Sequence, residues 1–208
     1  MVAVPSNMIQ LGSPAPDFSL PEPLTSRLLT LKDFQGKQAL LVMFICNHCP
    51  YVIHLKPAMV QLARDYIAKG VGFIAISSND SDAYPSDSPE NMIADAKKFK
   101  YPFPYLFDDT QQVAQKYSAA CTPDFFLFDS ALKLAYRGQF DDSRPSHRTA
   151  PDSPSKGAKP SGNAIRSAID LLLAGKSVPA DDQKPSLGCN IKWRPGMEPD
   201  WFRPYMHG

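Results

Sequence analysis

An apolar run that ends in a pair of cysteines constrains this chain more than any other stretch. Residues 39–45 are apolar throughout, and residues 46–50, Cys-Asn-His-Cys-Pro, follow without a gap. Such a run is typical of a strand whose two faces are both covered. A helical pattern follows up to Gly70, and a second apolar run spans residues 71–77. Strand, helix and strand in this order predict a right-handed parallel unit, and hence an α/β fold.

The two cysteines are therefore expected where a strand meets a helix. Free backbone N–H groups at a helix start stabilise a thiolate, so Cys46 is predicted to have a lowered pKa. Cys49 lies one turn further and would resolve a mixed disulfide. His48, when protonated, would favour the thiolate form, although a solvated residue at a helix start explains it equally well. This spacing beside a strand–helix–strand pattern indicates redox or metal chemistry.

Turn residues and apolar periodicity divide the rest of the chain into short elements. Asp109 and Ser161 are predicted to cap helices, and Pro57 predicts a kink or break near Lys56 in the helix after the cysteines. Strands are predicted at 28–31, 39–45, 71–77, 104–107, 124–129 and 133–140, and helices at 50–69, 89–98, 109–117 and 161–174.

Composition excludes several classes of function. The formal net charge of +1 gives no basic field for nucleic acid or a membrane surface. No apolar run approaches the roughly 18 residues of a membrane span, and the start has no signal-peptide pattern. Four cysteines are too few for a disulfide scaffold. We expect a cytoplasmic protein, with no nucleic-acid or membrane partner, in which any disulfide is transient.

The domain is predicted to span residues 1–178, with an extended arm at 1–38 and a long loop at 141–160. Residues 179–208 form a tail that carries both tryptophans, Trp193 and Trp201. Disordered segments are poor in aromatic residues, so we expect this tail to dock on the domain.

A second motif, Cys-Thr-Pro-Asp at residues 121–124, precedes an apolar strand. Together with the paired cysteines, it resembles the active site of the thioredoxin fold, a three-layer α/β/α arrangement with a central mixed sheet. The resemblance implies that Cys46 is the nucleophile, Cys49 the resolving thiol and Pro123 a cis-proline preceded by Thr122. Proline has no N–H, and the backbone of Thr122 would be free to pair with a bound peptide or mixed disulfide.

Residues 14–20, Pro-Ala-Pro-Asp-Phe-Ser-Leu, further resemble the alkyl hydroperoxide reductase and thiol-specific antioxidant (redoxin) branch of that superfamily, over about residues 10–140. Peroxiredoxins carry Pro and Thr where this chain has Val42 and Cys46, and an arginine where it has Thr122. Thioredoxins keep a buried aspartate where this chain has Leu40. Thiol–disulfide exchange is therefore the primary expectation, and a peroxiredoxin-like thiol peroxidase is the alternative.

The expected enzyme is a thiol–disulfide oxidoreductase that acts on protein or small-molecule disulfides and thiols, is served by a thiol reductant system, and needs no cofactor beyond its own disulfide. Cys121, two residues before Pro123, is either a third redox thiol or a small buried residue. Cys189 could resolve a disulfide with Cys46.

Two alternatives without this activity stay open. A copper- or zinc-binding protein would draw on cysteine and histidine ligands, but no second Cys/His pair stands at a familiar spacing, and no metal is predicted. A redox-inert binding module is the other. For the metal-binding alternative, the available metal ligands are Cys46, His48, Cys49, His54, Cys121 and Cys189.

Overall fold

Strands and helices alternate along most of the chain. The computed structural model describes residues 3–146 and 157–205. The strands of this part are β1 (Ala3–Pro5), β2 (Ser19–Glu22), β3 (Arg27–Thr30), β4 (Ala39–Phe44), β5 (Val71–Ser77), β6 (Tyr105–Phe107), β7 (Cys121–Thr122), β8 (Asp124–Asp129), β9 (Leu134–Gly138) and β10 (Leu187–Asn190). The α-helices are α1 (Pro50–Ile67), α2 (Pro89–Phe99), α3 (Gln112–Lys116) and α4 (Asn163–Leu173).

A mixed sheet with the strand order β6-β5-β4-β8-β9 lies at the centre. The β4 strand pairs in parallel with β5 and antiparallel with β8, and all of its residues are buried. Alternate residues point to opposite faces. Leu41 and Met43 pack with residues of α1 and α4, whereas Leu40 and Val42 pack with α3, the N-terminal arm and the tail. This is the predicted three-layer α/β arrangement with a central mixed sheet.

The helix that follows the cysteines is continuous, so of the kink or break predicted near Lys56, the break is wrong. Pro57 lies inside α1 and cannot donate to the carbonyl of Ile53. Both residues are exposed, on the side of the helix that faces solvent. Water can therefore reach the carbonyl that proline leaves unpaired.

The cap of α3 is also not the predicted one. The Asp108 carboxylate accepts hydrogen bonds from the backbone N–H groups of Val113 and Ala114, at 3.4 and 2.9 Å. Asp109 instead accepts a hydrogen bond of 2.6 Å from Arg194 in the tail. The helix starts later than predicted, at Gln112, and the preceding aspartate reaches its free N–H groups.

Tail residues are built into the fold. The β10 strand pairs antiparallel with both β1 and β7 in a small three-stranded sheet. Trp193 and Phe202 are buried in the same apolar cluster as β4 residues. The tail thereby brings β10 to the strand that precedes Pro123.

The predicted loop at 141–160 is described only in part, because residues 147–156 lie outside the described residues. Its two ends meet at Asp141, whose carboxylate accepts hydrogen bonds from the N–H groups of Ser161 and Gly162, at 2.6 and 2.7 Å. None of the helices in the described part is both long enough and apolar enough to span a membrane.

Candidate active site

The two cysteines of the Cys-Asn-His-Cys segment lie between β4 and α1. Cys46 is 1% exposed and Cys49 is fully buried. The helix starts at Pro50, with Cys49 as its N-cap. Proline is favoured in the first turn because it lacks only an N–H that would be unpaired there. Of the two thiols, Cys49 is therefore nearer to the positive end of the helix.

Thr122 connects the two cysteines to the loop before β8. The Cys46 Sγ atom lies 3.4 Å from Thr122 Oγ1, and the Cys49 thiol donates a hydrogen bond of 3.0 Å to the Thr122 carbonyl. The Thr122–Pro123 peptide bond is cis, the isomer that the resemblance implied. The two motifs, far apart in sequence, thus form one cluster.

The pKa values of the two thiols move in opposite directions. Burial raises the pKa of Cys46 well above its ordinary value, and a hydrogen bond with Cys49 and the Asp87 charge raise it further. Burial also raises the pKa of Cys49, but hydrogen bonds from Cys189, Cys46 and the backbone outweigh burial and lower it. When one of the two thiols ionises, these hydrogen bonds therefore favour the negative charge on Cys49. The sequence pattern predicts it on Cys46, which lies four residues before the helix start at Pro50.

Asp87 is a site residue that the sequence analysis missed. Its carboxylate is fully buried and accepts hydrogen bonds from the Asn47 N–H and the Asn79 amide, at 2.8 and 2.7 Å. His48 Nδ1 lies 2.7 Å from it, although the ring is not aligned for a hydrogen bond. Burial raises the pKa of Asp87, but the close contact with His48 and the hydrogen bond from Asn79 lower it overall. Asp87 stands in a polar loop without a motif, so no sequence signal pointed to it.

A protein-family model described as Redoxin matches residues 10–152, more than half of the chain. The chain belongs to the redoxin family. Two solved structures resemble this redoxin along nearly its whole length. An uncharacterized conserved protein from Geobacillus kaustophilus is 52% identical, with a TM-score of 0.87, over 94% of this chain and 98% of the other. A hypothetical protein from Sinorhizobium meliloti is 45% identical, with a TM-score of 0.85, over 92% and 99%.

A more distant structure shows the fold. The thioredoxin domain of a thiol-disulfide oxidoreductase from Bacteroides vulgatus has a TM-score of 0.54 and 21% identity, over 62% of this chain and 88% of the other. No curated protein matches the sequence. Family and fold together support a thiol-based oxidoreductase function in general terms, on a thioredoxin-like fold.

Lys56 and Tyr105 hold the backbone and side chain of Asn47, between the two cysteines of this redoxin. Lys56 Nζ donates to the Asn47 carbonyl at 3.0 Å, and the Tyr105 hydroxyl donates to the Asn47 side-chain oxygen at 3.1 Å. Lys56 also forms an ion pair of 2.7 Å with Asp95 on α2. Sequence reasoning missed both residues, because a lysine and a tyrosine in apolar patterns carry no mark of such contacts.

The two remaining cysteines occupy different places. Cys121 packs with Val4 and Ala120 in a small apolar cluster, and burial raises its pKa well above the ordinary value. Cys189 is 2% exposed, lies opposite Thr122 in the β7–β10 ladder and hydrogen-bonds to Cys49. The structure thus places Cys189 beside Cys49. The sequence suggested Cys46 instead as the partner of Cys189.

Only some of the possible metal donors come together. Cys46, His48 and Asp87 each have one donor atom within 4.8 Å of the others, and Asp87 was not among the predicted donors. His54 lies 3.1 Å from the Ser143 hydroxyl and is not part of this group. The three donors include a cysteine sulfur and an imidazole, which are ligand types that suit zinc or copper.

Proposed function

We propose that this redoxin is a thiol–disulfide oxidoreductase that cycles Cys46 and Cys49 between a dithiol and a disulfide. The observation that carries the proposal is that both sulfur atoms contact the same residue, Thr122, directly before the cis-proline. The side chains of Cys46 and Cys49 also hydrogen-bond to each other. Two thiols that interact in this way can exchange a disulfide without a large rearrangement.

The electrons pass from the dithiol to the substrate disulfide in two displacements. An enzyme thiolate attacks one substrate sulfur, the enzyme–substrate disulfide forms, and the first substrate thiolate leaves. The second enzyme thiol loses its proton and attacks the enzyme sulfur of that mixed disulfide. The second substrate thiolate leaves, and the Cys46–Cys49 bond remains. One leaving thiolate takes up the proton that the second enzyme thiol loses, and the other takes up a proton from solvent.

The identity of the first nucleophile is a separate part of the proposal. The resemblance assigns the first attack to Cys46, whereas the hydrogen bonds and the N-cap position favour a thiolate on Cys49. Since the thiolate is the nucleophile, we assign the first attack to Cys49. A disulfide with a coloured leaving thiol tests the order. The Cys46→Ser variant should release the coloured thiol quickly, and faster release in Cys49→Ser would restore the first attack to Cys46.

Differential alkylation across a series of glutathione redox buffers, followed by mass spectrometry, tests the pair itself. The expected result is a two-electron transition that links Cys46 to Cys49. Cys46→Ser and Cys49→Ser should each abolish it. If both thiols stay unpaired at every redox potential, the oxidoreductase proposal is wrong.

A thiol peroxidase is a second candidate, and the N-cap position of Cys49 before Pro50 favours it. The Cys49 thiolate would attack one peroxide oxygen and become a sulfenic acid, and the hydroxide that leaves would take up a proton and be released as water. The Cys46 thiol would then attack the sulfenic sulfur, form the disulfide and release a second water. Trapping of a sulfenic acid with dimedone in Cys46→Ser, together with rapid peroxide consumption by the wild type, would support this activity.

The proposed exchange needs a reductant that restores the dithiol, but it needs no bound cofactor, because the two sulfur atoms carry the electrons. The substrates would be protein or small-molecule disulfides, and a thiol reductant system would restore the dithiol. A reducing compartment such as the cytoplasm would suit that cycle. Turnover by extensively dialysed protein, supplied only with a dithiol and a disulfide, checks the independence from a cofactor.

A further inference from the structure

The backbone edge next to the cis-proline is occupied by the protein's own tail. The β10 strand pairs antiparallel with β7, with Cys189 opposite Thr122 and Asn190 opposite Cys121. A peptide bound to Thr122 was expected to pair with this same backbone. Strand addition to a free edge is a common mode of peptide binding, and here an internal segment takes that place.

A cysteine of that segment contacts the proposed reactive pair. The Cys189 side chain and backbone both hydrogen-bond to the Cys49 sulfur, and Cys189 lies in the same buried cluster as Cys46 and Cys49. The Cys49 thiol in turn donates to the carbonyl of Thr122, the partner of Cys189 across the ladder. Cys189 therefore stands where the cysteine of a bound disulfide peptide would lie.

Gly188 allows this close approach. A Cβ atom added there would lie 2.2 Å from the Thr122 carbonyl oxygen and 3.1 Å from the Pro123 nitrogen. The obstructing atoms belong to backbone, which cannot move aside as a flexible side chain can. Any residue larger than glycine would separate this part of the tail from the cis-proline loop.

Hydrogen bonds at Lys192, two residues after the end of β10, hold the tail in place. The Lys192 N–H donates to the Asn79 side chain at 2.9 Å, and the Lys192 carbonyl accepts from Asp80 N–H at 2.8 Å. Asn79 also donates to Asp87, whose carboxylate anchors the Cys-Asn-His-Cys segment. One hydrogen-bonded chain thus connects the tail to the segment between the two cysteines.

We propose that Cys189 is a third redox thiol, which acts as an internal substrate of the site. The inference rests on the proposed function. The Cys189 thiolate attacks the Cys49 sulfur of the Cys46–Cys49 disulfide, a Cys49–Cys189 bond forms, and Cys46 leaves as a thiolate. The proton that Cys189 loses is balanced by the one that Cys46 gains. The oxidation state of the protein is unchanged, and Cys46 becomes a free thiol in the oxidised enzyme.

The test uses the full chain, oxidised with glutathione disulfide, acid-quenched, alkylated and digested without reduction. Mass spectrometry then identifies the peptides that remain linked. In the wild type we expect both Cys46–Cys49 and Cys49–Cys189. In Cys46→Ser we expect Cys49–Cys189 alone. A Cys46→Ser protein in which Cys49 carries only glutathione, while Cys189 is alkylated, would overturn the inference.

The outcomes separate the two proposals. If Cys46–Cys49 forms in the wild type but Cys189 is never linked, only the internal-substrate inference is wrong. If Cys46–Cys49 never forms, the proposed function is wrong. Gly188→Ala in the Cys46→Ser background should lose the Cys49–Cys189 bond, because the tail is displaced. Leu187→Ala, at a partly exposed neighbour, should retain the bond and is the matched control.

Discussion

Lys56 donates a hydrogen bond of 3.0 Å to the carbonyl of Asn47, the residue that follows Cys46. Its side chain is only 2% exposed, and its ammonium also pairs with Asp95 at 2.7 Å. A buried charge is stable only when it is paired and hydrogen-bonded. This one ammonium therefore fixes the segment between the cysteines to α1 and α2.

Replacing Lys56 should be costly to the fold. Lys56→Met removes the cation, leaves the Asp95 carboxylate without its partner and leaves the Asn47 carbonyl unpaired. Breaking a buried ion pair on one side typically costs about 3–5 kcal/mol. We expect a loss of that order in the free energy of unfolding, measured with urea under reducing conditions. Lys98→Met, at an exposed position of α2, is the control. Equal stabilities of the two variants would contradict the expectation.

The Asp87 carboxylate should act on the chemistry of Cys46 as well as on the loop. Its negative charge is one of the causes that raise the pKa of Cys46. Asp87→Asn removes the charge but keeps an oxygen to accept from Asn47, so the Cys46 pKa should fall. The pH dependence of iodoacetamide alkylation, followed for each cysteine by mass spectrometry, measures this. Asp82→Asn, an exposed acid nearby, should leave the Cys46 profile unchanged. An unchanged profile in Asp87→Asn would rule out this role.

The central strands were predictable because their signal is local. The apolar runs at 39–45 and 71–77 became β4 and β5 with nearly the predicted bounds, since strands covered on both faces need such runs. The approach of the cysteines to Thr122 was predicted from the family resemblance. By contrast, Asp87 and Lys56 gain their roles from contacts with distant residues, and no local pattern records such contacts.

The placement of the thiolate shows how the position of a cysteine relative to a helix start changes its chemistry. The motif gives Cys46 the role of the thiol at the helix start, whereas the helix begins at Pro50, as predicted, and Cys49 is its N-cap. Proline at the first helical position is a signal that favours Cys49, its neighbour, over Cys46 for this role. Further hydrogen bonds to Cys49 come from Cys189 in the tail, and the spacing of the motif could not have predicted them.

Cys121 should not take part in the exchange. Its side chain packs with Val4 and Ala120, apart from the cluster that holds the other three cysteines. Burial keeps the pKa of its thiol high, which disfavours the reactive thiolate. Cys121→Ala should therefore leave the midpoint of the Cys46–Cys49 transition unchanged and cost about 1 kcal/mol of stability through lost packing. A shifted midpoint, or a disulfide to Cys121 in the wild type, would show that Cys121 takes part in the exchange.

A buried carboxylate does exist near the site, although not where thioredoxins keep theirs. Leu40 occupies that position, but Asp124 on the neighbouring β8 is fully buried opposite Phe44. It accepts hydrogen bonds of 3.1 Å from the N–H groups of Ala120 and Phe125. Burial outweighs these hydrogen bonds and raises the pKa of Asp124 from 3.8 to about 8.

The raised pKa of Asp124 makes stability depend on pH in a defined direction. Between pH 4 and pH 8 the folded protein holds a proton that the unfolded chain has released. The contribution of Asp124 to the free energy of unfolding is therefore fully present below about pH 4. It is lost as the pH rises towards 8, by about 1.4 kcal/mol per pH unit. Asp124→Asn has no proton to lose and should remove this slope.

Urea unfolding of the reduced protein between pH 5 and pH 8 measures the slope directly. Wild type should lose stability across this range relative to Asp124→Asn, with the difference between the two changing steadily with pH. Asp129→Asn, at the other end of the same strand, should follow the wild type because that residue is partly exposed. If the stabilities of wild type and Asp124→Asn changed in parallel with pH, Asp124 would be ionised in the folded protein. The expected role of its proton in the pH dependence would then be wrong.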